Sequence, residues 1–243
     1  MKLRYSTHMV IGPDTTLTHG WDIAPADAVS LQKRLAPLVR LEPFRRRSFL
    51  LAGTDVSFDD DAGMAVAGVV VVKIPSMETV EERFAFHRLE FPYIPGLLSF
   101  REVPALLAAF ALLRIQPDCV MADGHGLAHP RRFGLACHLG LLMGIPAFGC
   151  AKSRLTGRFI EPGGAKGSRS PLLIGDETVG AVVRTRRDVS PVFVSAGHLI
   201  DLAGAVRATL SASITRIPEP TRRAHALVTR VACCNGLGHN PPP

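Results

Sequence analysis

Long apolar runs are missing from this 243-residue chain. The longest, residues 64–72, falls far short of the roughly 20 residues that a membrane-crossing helix needs. Residues 1–12 hold no apolar leader core, so a secretory signal is not expected either. Cysteine is scarce and odd in number: Cys119, Cys137 and Cys150 sit inside apolar stretches, and Cys233 and Cys234 are adjacent. That pattern excludes a disulfide scaffold and points to a reducing compartment, the cytoplasm. Aromatics make up 6% of the chain, with two tyrosines, so a tyrosine spent on a loop stands out. Acidic residues are outnumbered, 21 against 28 Lys and Arg, which leaves a net charge of +7 and favours an anionic partner. There is no internal repeat and no heptad pattern, so a monomer is expected. What the chain does have is 47% hydrophobic residues, enough core for one sizeable domain, and this rules out wholesale disorder.

Residues 1–25, with Gly12, Pro13 and Pro25, read as an irregular arm, and residues 234–243 as a disordered tail. The span 26–233 between them reads as one catalytic domain. Apolar residues at helical spacing predict a helix over 26–41. Strands are predicted at 48–58, 66–73 and 79–89, the first two joined by the acidic, glycine-tipped turn 59–63. A helix follows at 100–115, with Pro104 in its first turn, then a strand at 117–123, a helix at 130–143 and a strand at 146–150. Residues 157–170 read as an exposed loop. Late strands are predicted at 171–174, 178–184 and 192–194, and helices at about 197–211 and 220–232. The order describes an α/β domain whose mixed central sheet is flanked by helices.

Three carboxylates stand at the ends of elements. Asp55 follows the apolar stretch LLAG, Glu102 opens a helix after PYIPGLLSF, and Asp123 ends DCVMA. Sites in open α/β sheets form at the carboxyl ends of strands. Converging carboxylates with no thiolate nearby suit a hard, oxygen-loving cation, Mg²⁺ or Mn²⁺. Together with a basic chain, that points to phosphoryl chemistry on a polyanion. Taken singly, each carboxylate reads as readily as a turn or cap residue.

The blocks around these residues are PYIPGLLSFRE (92–102) and DGHGLAHPRRFGLA (123–136). Here the chain closely resembles the endonuclease V family of deoxyinosine-specific nucleases. The resemblance extends to AGTDVSF around Asp55, GCAK ending at Lys152, FVSAGHLID at 193–201 and RIPEPTRRAH at 216–225, and covers roughly residues 27–232. It implies a ribonuclease H-like fold with a mixed five-stranded core sheet and helices on both faces. It also implies Mg²⁺-dependent hydrolysis, Mn²⁺ substituting, at the second phosphodiester 3′ of deoxyinosine in DNA, leaving a 3′-hydroxyl and a 5′-phosphate.

The same resemblance implies residue roles. Asp55, Glu102 and Asp123 match the metal-binding carboxylates. His225 in RRAH matches a histidine near the metal, and Lys152 matches a lysine near the scissile phosphate. Tyr93, between Pro92 and Pro95, matches a wedge that fills the gap left by a flipped base. Gly96, Leu98, Gly124 and Leu135 are placed around that base. His129, Arg131 and Arg132 are placed on phosphates, consistent with the chain's charge. His125 reads as a loop residue, and His198 as the start of a helix with no assigned role. Two departures stand near the site: Phe58 where members often have tyrosine, and Ser153 where a second lysine is common.

Other readings remain at this point. One is the same chemistry on inosine-containing RNA, and another is a non-catalytic binder of distorted nucleic acid. A third is a small-molecule metallohydrolase using His125 and His129, which needs a helix that Gly124, Gly126 and Pro130 disfavour.

Overall fold

In a computed structural model of the chain, residues 19–237 are described. Eight strands form one mixed sheet in the order β3-β2-β1-β4-β5-β8-β7-β6. β1 (Phe49–Asp59), β2 (Met64–Ile74) and β3 (Glu78–Arg88) make an antiparallel meander. β4 (Cys119–Ala122) and β5 (Ala147–Ala151) run parallel to β1. β8 (Val192–His198) then reverses against β5, and β7 (Glu177–Val183) and β6 (Arg169–Ile174) complete the sheet. The five strands β3-β2-β1-β4-β5 correspond to the expected five-stranded core sheet. The sheet continues past it by three strands, and β6 begins at Arg169, inside the stretch expected to be loop.

Helices α2 (Leu98–Phe110) and α3 (Leu135–Met143) cover one face, where Val103, Leu106 and Leu139 pack on Ala52, Val69 and Val71. Helices α4 (Leu202–Ser211) and α5 (Glu219–Cys234) cover the other, where Val206, Ala224 and Val228 meet Leu51, Val70 and Met121. Strands buried on both faces read as continuous apolar runs, which is why 64–72 looks as it does. α1 (Pro25–Leu35) lies outside α2 and α3, with Ala28, Leu31 and Leu35 against Phe91, Phe100 and Phe133.

Several boundaries move from their sequence positions. α1 stops at Leu35 and tightens into a 3₁₀ turn at Ala36–Leu38, because Pro37 has no N–H to donate into the helical ladder. α2 starts at Leu98, so Pro104 lies within it rather than in its first turn. α3 starts at Leu135, not 130: Arg132 is in the left-handed region (φ 55°), and Gly134 is extended. β8 runs on through His198, so that residue ends a strand instead of opening a helix. α4 begins at Leu202, capped by Asp201, whose Oδ1 accepts from the Gly204 N–H at 2.7 Å.

The end of the expected irregular arm is packed. His19 and Trp21 lie against Phe100 and His138. The rest of the arm, residues 1–18, falls outside the described residues, as do 238–243 of the expected tail. Within that tail, Cys234 ends α5 and Leu237 packs against the core.

Candidate active site

The site forms where β1 and β4 point their carboxyl ends at the start of α2. A Cβ on Gly53 would fall 2.1 Å from the Pro220 carbonyl carbon. Only glycine lets the first turn of α5 lie flat on β1, and that close crossing brings His225 over Asp55, two residues further along the strand. The His225 Nδ1–H donates to Asp55 Oδ2 at 2.9 Å. Asp123 follows β4 directly, and the Lys152 ammonium, one residue beyond β5, stands 2.6 Å from Asp123 Oδ2. Glu102 reaches in from α2, buried.

Electrostatics in this corner are strained. Burial, then the charges of Asp55 and Asp123, push the Glu102 carboxyl well above the usual carboxylate range. Burial also pushes Asp123 up, to about 6, with Asp55 adding to the rise and Lys152 opposing it. Burial would lower the Lys152 ammonium; the facing Asp123 and Asp55 outweigh it and hold it above its ordinary value. The hydrogen bond to Asp55 raises His225 in the same sense. Carboxyls that resist ionisation because they are buried and, secondarily, crowd one another suit a cation placed among them, and Asp55, Glu102 and Asp123 all offer oxygen, as Mg²⁺ prefers. Among the described residues, no three His, Cys, Asp or Glu side chains already stand in ligating geometry. Asp123 also faces Lys152, and Asp55 faces His225, so the donor set that fits such an ion is matched by two cationic or proton-bearing neighbours.

These residues line one cavity of about 470 Å³, which also takes in Tyr93, Gly96, Leu98, Gly124, His125, His129 and Leu135. Every expected wedge and base-pocket residue is therefore on it. Tyr93 is 43% exposed at the rim, a reach that a core-capping aromatic would not have. Gly124 sits under Leu135, where a Cβ would come within 3.2 Å of Cδ2.

The basic cluster is arranged differently from its sequence reading. His129 is buried, and its Nε2–H donates to the Gly96 carbonyl at 2.9 Å; burial lowers its pKa to about 4, so it is neutral. Arg131 donates to the same carbonyl at 2.7 Å and to Gln32 Oε1 at 2.5 Å. Arg132 pairs with Glu177 at 2.6 Å. All three have partners within the protein: His129 and Arg131 brace the loop at Gly96, and Arg132 reaches Glu177 at the β6–β7 turn. Gly96 accepts this traffic in a left-handed conformation (φ 81°) that glycine tolerates.

Among the cavity residues that sequence reasoning missed are Gln32 and Ser99. Gln32 is 1% exposed and also donates to the carbonyls of Gly96 and Phe133. Its signal was legible: a polar residue on the stripe of Ala28, Leu31 and Leu35. Ser99 had no such signal.

A ribonuclease H-like sheet with a carboxylate cluster at the ends of β1 and β4 defines the class, a nuclease. The endonuclease V family model matches residues 33–226. The chain is 46% identical over 218 residues to "Endonuclease V" of Myxococcus xanthus, covering 89% of this chain and 93% of that one. The crystal structure of endonuclease V from Streptomyces avermitilis superposes with a TM-score of 0.86 at 43% identity, covering 89% of this chain and 96% of that one. That of Ciona intestinalis endonuclease V, in complex with a 23mer DNA containing an inosine followed by a ribo-adenosine, gives 0.79 at 26% identity over 88% of this chain and 100% of that one. The chain belongs to the endonuclease V family. It is a DNA repair endonuclease, and cleavage at deoxyinosine is the function of that family.

Proposed function

We propose that this chain nicks DNA at the second phosphodiester 3′ to deoxyinosine with Mg²⁺, or Mn²⁺ in its place, and leaves a 3′-hydroxyl and a 5′-phosphate. The observation that carries the reading is the convergence of Asp55, Glu102, Asp123, Lys152 and His225 on a cavity whose rim is Tyr93. Asp55, Glu102 and Asp123 are the residues that would hold the ion. Such an ion supplies Lewis-acid activation of water and stabilises charge on the leaving 3′-oxygen.

The chain's own groups do the rest. Lys152, kept protonated by Asp123, opposes the charge that builds on the phosphate. Asp55 Oδ2 orients the His225 ring through Nδ1–H and keeps it able to hold a proton beside the attacking water. Tyr93, on a loop stiffened by Pro92 and Pro95 and braced at Gly96, takes the place of the displaced base. Gly96, Leu98, Gly124 and Leu135 enclose that base, and Gly124 lets backbone approach it closely.

The positive net charge supports the association with nucleic acid. We place the protein in the cytoplasm as a monomer, acting through one catalytic domain over about residues 26–233. All five cysteines are free, and no described helix is long and apolar enough to cross a membrane.

The test is cleavage of an end-labelled duplex with one deoxyinosine, with Mg²⁺ and with EDTA. One Mg²⁺-dependent cut at the second phosphodiester 3′ of the lesion is expected. Cutting of the inosine-RNA counterpart alone would turn the reading to RNA. Tight binding with no cut on either would leave a recognition protein.

A further inference from the structure

Among the described residues, two Lys or Arg side chains line the cavity, Lys152 and Arg154; Arg131 and Arg132 stand off it. The Lys152 ammonium faces Asp123 at 2.6 Å. Arg154 is exposed and forms no ion pair among the described residues. Its hydrogen-bond acceptor is the Gly157 carbonyl, 3.0 Å from Nη1. One N–H of the guanidinium is used there, and the rest of the fork is left for a ligand.

The strands β6 and β8, by which the sheet runs past its core, hold the loop that carries Arg154. Arg158 and Leu173 of β6 exchange backbone N–H···O bonds of 2.7 and 2.9 Å. Phe159 packs edge-on against Phe193 of β8, ring centroids 5.4 Å apart. The Arg154 guanidinium carbon lies 5.7 Å from the Phe159 ring centroid, within cation–π reach. The side chain is thus stacked on an anchored ring before any ligand arrives, which lowers the ordering cost of binding.

We propose that Arg154 is a substrate-binding residue whose guanidinium grips the phosphate adjoining the scissile one on the cleaved strand. A polyanion that approaches Asp55, Glu102 and Asp123 meets like charge, and the Lys152 ammonium beside them is already matched by Asp123. Arg154 supplies the positive charge that no carboxylate of the cavity answers. Its planar fork fits two phosphate oxygens at once, which an ammonium cannot do. Lys152 is placed at the scissile phosphate, and the two side chains start from points at most about 7 Å apart, close enough for adjoining linkages of one strand. The inference rests on the deoxyinosine reading above and adds a contact to that site.

The experiment places one neutral methylphosphonate at successive linkages around a deoxyinosine in duplex DNA. Single-turnover cleavage at subsaturating protein, with Mg²⁺, is compared for the wild type and Arg154→Ala. On the unmodified duplex Arg154→Ala is expected to lose about tenfold, the scale of one charge-assisted hydrogen bond. A methylphosphonate adjoining the scissile linkage is expected to cost the wild type about as much and the variant little more, whereas one elsewhere costs both alike. Duplex binding over a salt series in EDTA gives a second reading: the slope of log affinity against log salt falls by about one in Arg154→Ala and returns in Arg154→Lys. Should the duplex not bind without metal, cleavage alone decides. Losses that add at every linkage, coupling confined to linkages that do not adjoin the scissile one, or a slope that Arg154→Ala leaves unchanged overturns the assignment. A wild type that cuts no deoxyinosine strand overturns the functional reading and this inference with it; a wild type that cuts, matched by Arg154→Ala, overturns the inference alone.

Discussion

Replacing Asp123 by Asn tests the carboxylate cluster without any substrate. The Asp123 carboxyl is raised from 3.8 to about 6, chiefly by burial. The folded protein therefore holds that proton more tightly than the unfolded chain, and the stability this brings is complete below about pH 4 and lost as pH rises through about 6. The shift corresponds to a cost of at most about 3 kcal/mol at neutral pH. Asn carries no charge and escapes that cost. For a chain of this length, and allowing for the lost Lys152 ion pair, the expected gain in Tm is roughly 4–10 °C in EDTA at pH 7.5. Scanning calorimetry at pH 4 and 7.5 reads it: the variant's advantage is near zero at pH 4 and full at pH 7.5. Millimolar Mg²⁺ is expected to raise the wild-type Tm and leave the variant's in place, since only the former gains a ligand on folding. An advantage equal at both pH values, or a less stable variant at pH 7.5, would refute the argument that the Asp123 carboxylate is held in this corner against the cost of its burial.

Other expectations follow from the same geometry. Mg²⁺ binding requires Glu102 and Asp123 to ionise, so its apparent affinity rises with pH through about 6; calorimetry in two buffers of different ionisation enthalpy should show proton release, and none would contradict the ligand set. Gly53→Val drives a side chain into the Pro220 carbonyl and is expected to cost about 3 kcal/mol or more, read by urea unfolding; a near-neutral result would mean that α5 does not cross β1 this closely. Tyr93→Ala should lower cleavage of deoxyinosine in duplex far more than in single strand, because only the duplex needs its gap filled; equal losses would remove the wedge. Arg132→Ala should leave DNA affinity and its salt dependence almost unchanged, because that guanidinium already pairs with Glu177.

The sequence exposed the catalytic corner because isolated carboxylates interrupt apolar runs, although only Asp123 stands at an element end: Asp55 lies within β1 and Glu102 in the second turn of α2. Asp55, Glu102 and Asp123 were legible in this way, and the family resemblance implied a five-stranded core sheet around them, though not its strand order. Partner choice was not. Arg131 and Arg132 look like free cations in HPRR, yet their partners Gln32 and Glu177 lie 99 and 45 residues away. His138 looks like one more core residue in an apolar helix, and only the fold brings it against His19, 119 residues earlier. Element ends shifted where one backbone angle decided them: the left-handed Arg132 held back α3, and the Asp201 cap set the start of α4. The extension β6–β8 escaped as a continuous part of the sheet because its short strands look alike whether they join the core or stand apart.

The most direct test of the central claim is strand cleavage by the wild type and by Asp55→Asn, Glu102→Gln and Asp123→Asn on a duplex with a single deoxyinosine, across a Mg²⁺ titration, with binding measured alongside. The account predicts one cut by the wild type that disappears in EDTA, and loss of cutting in all three variants with binding retained. Cutting that survives in any two of the variants would contradict a shared carboxylate centre.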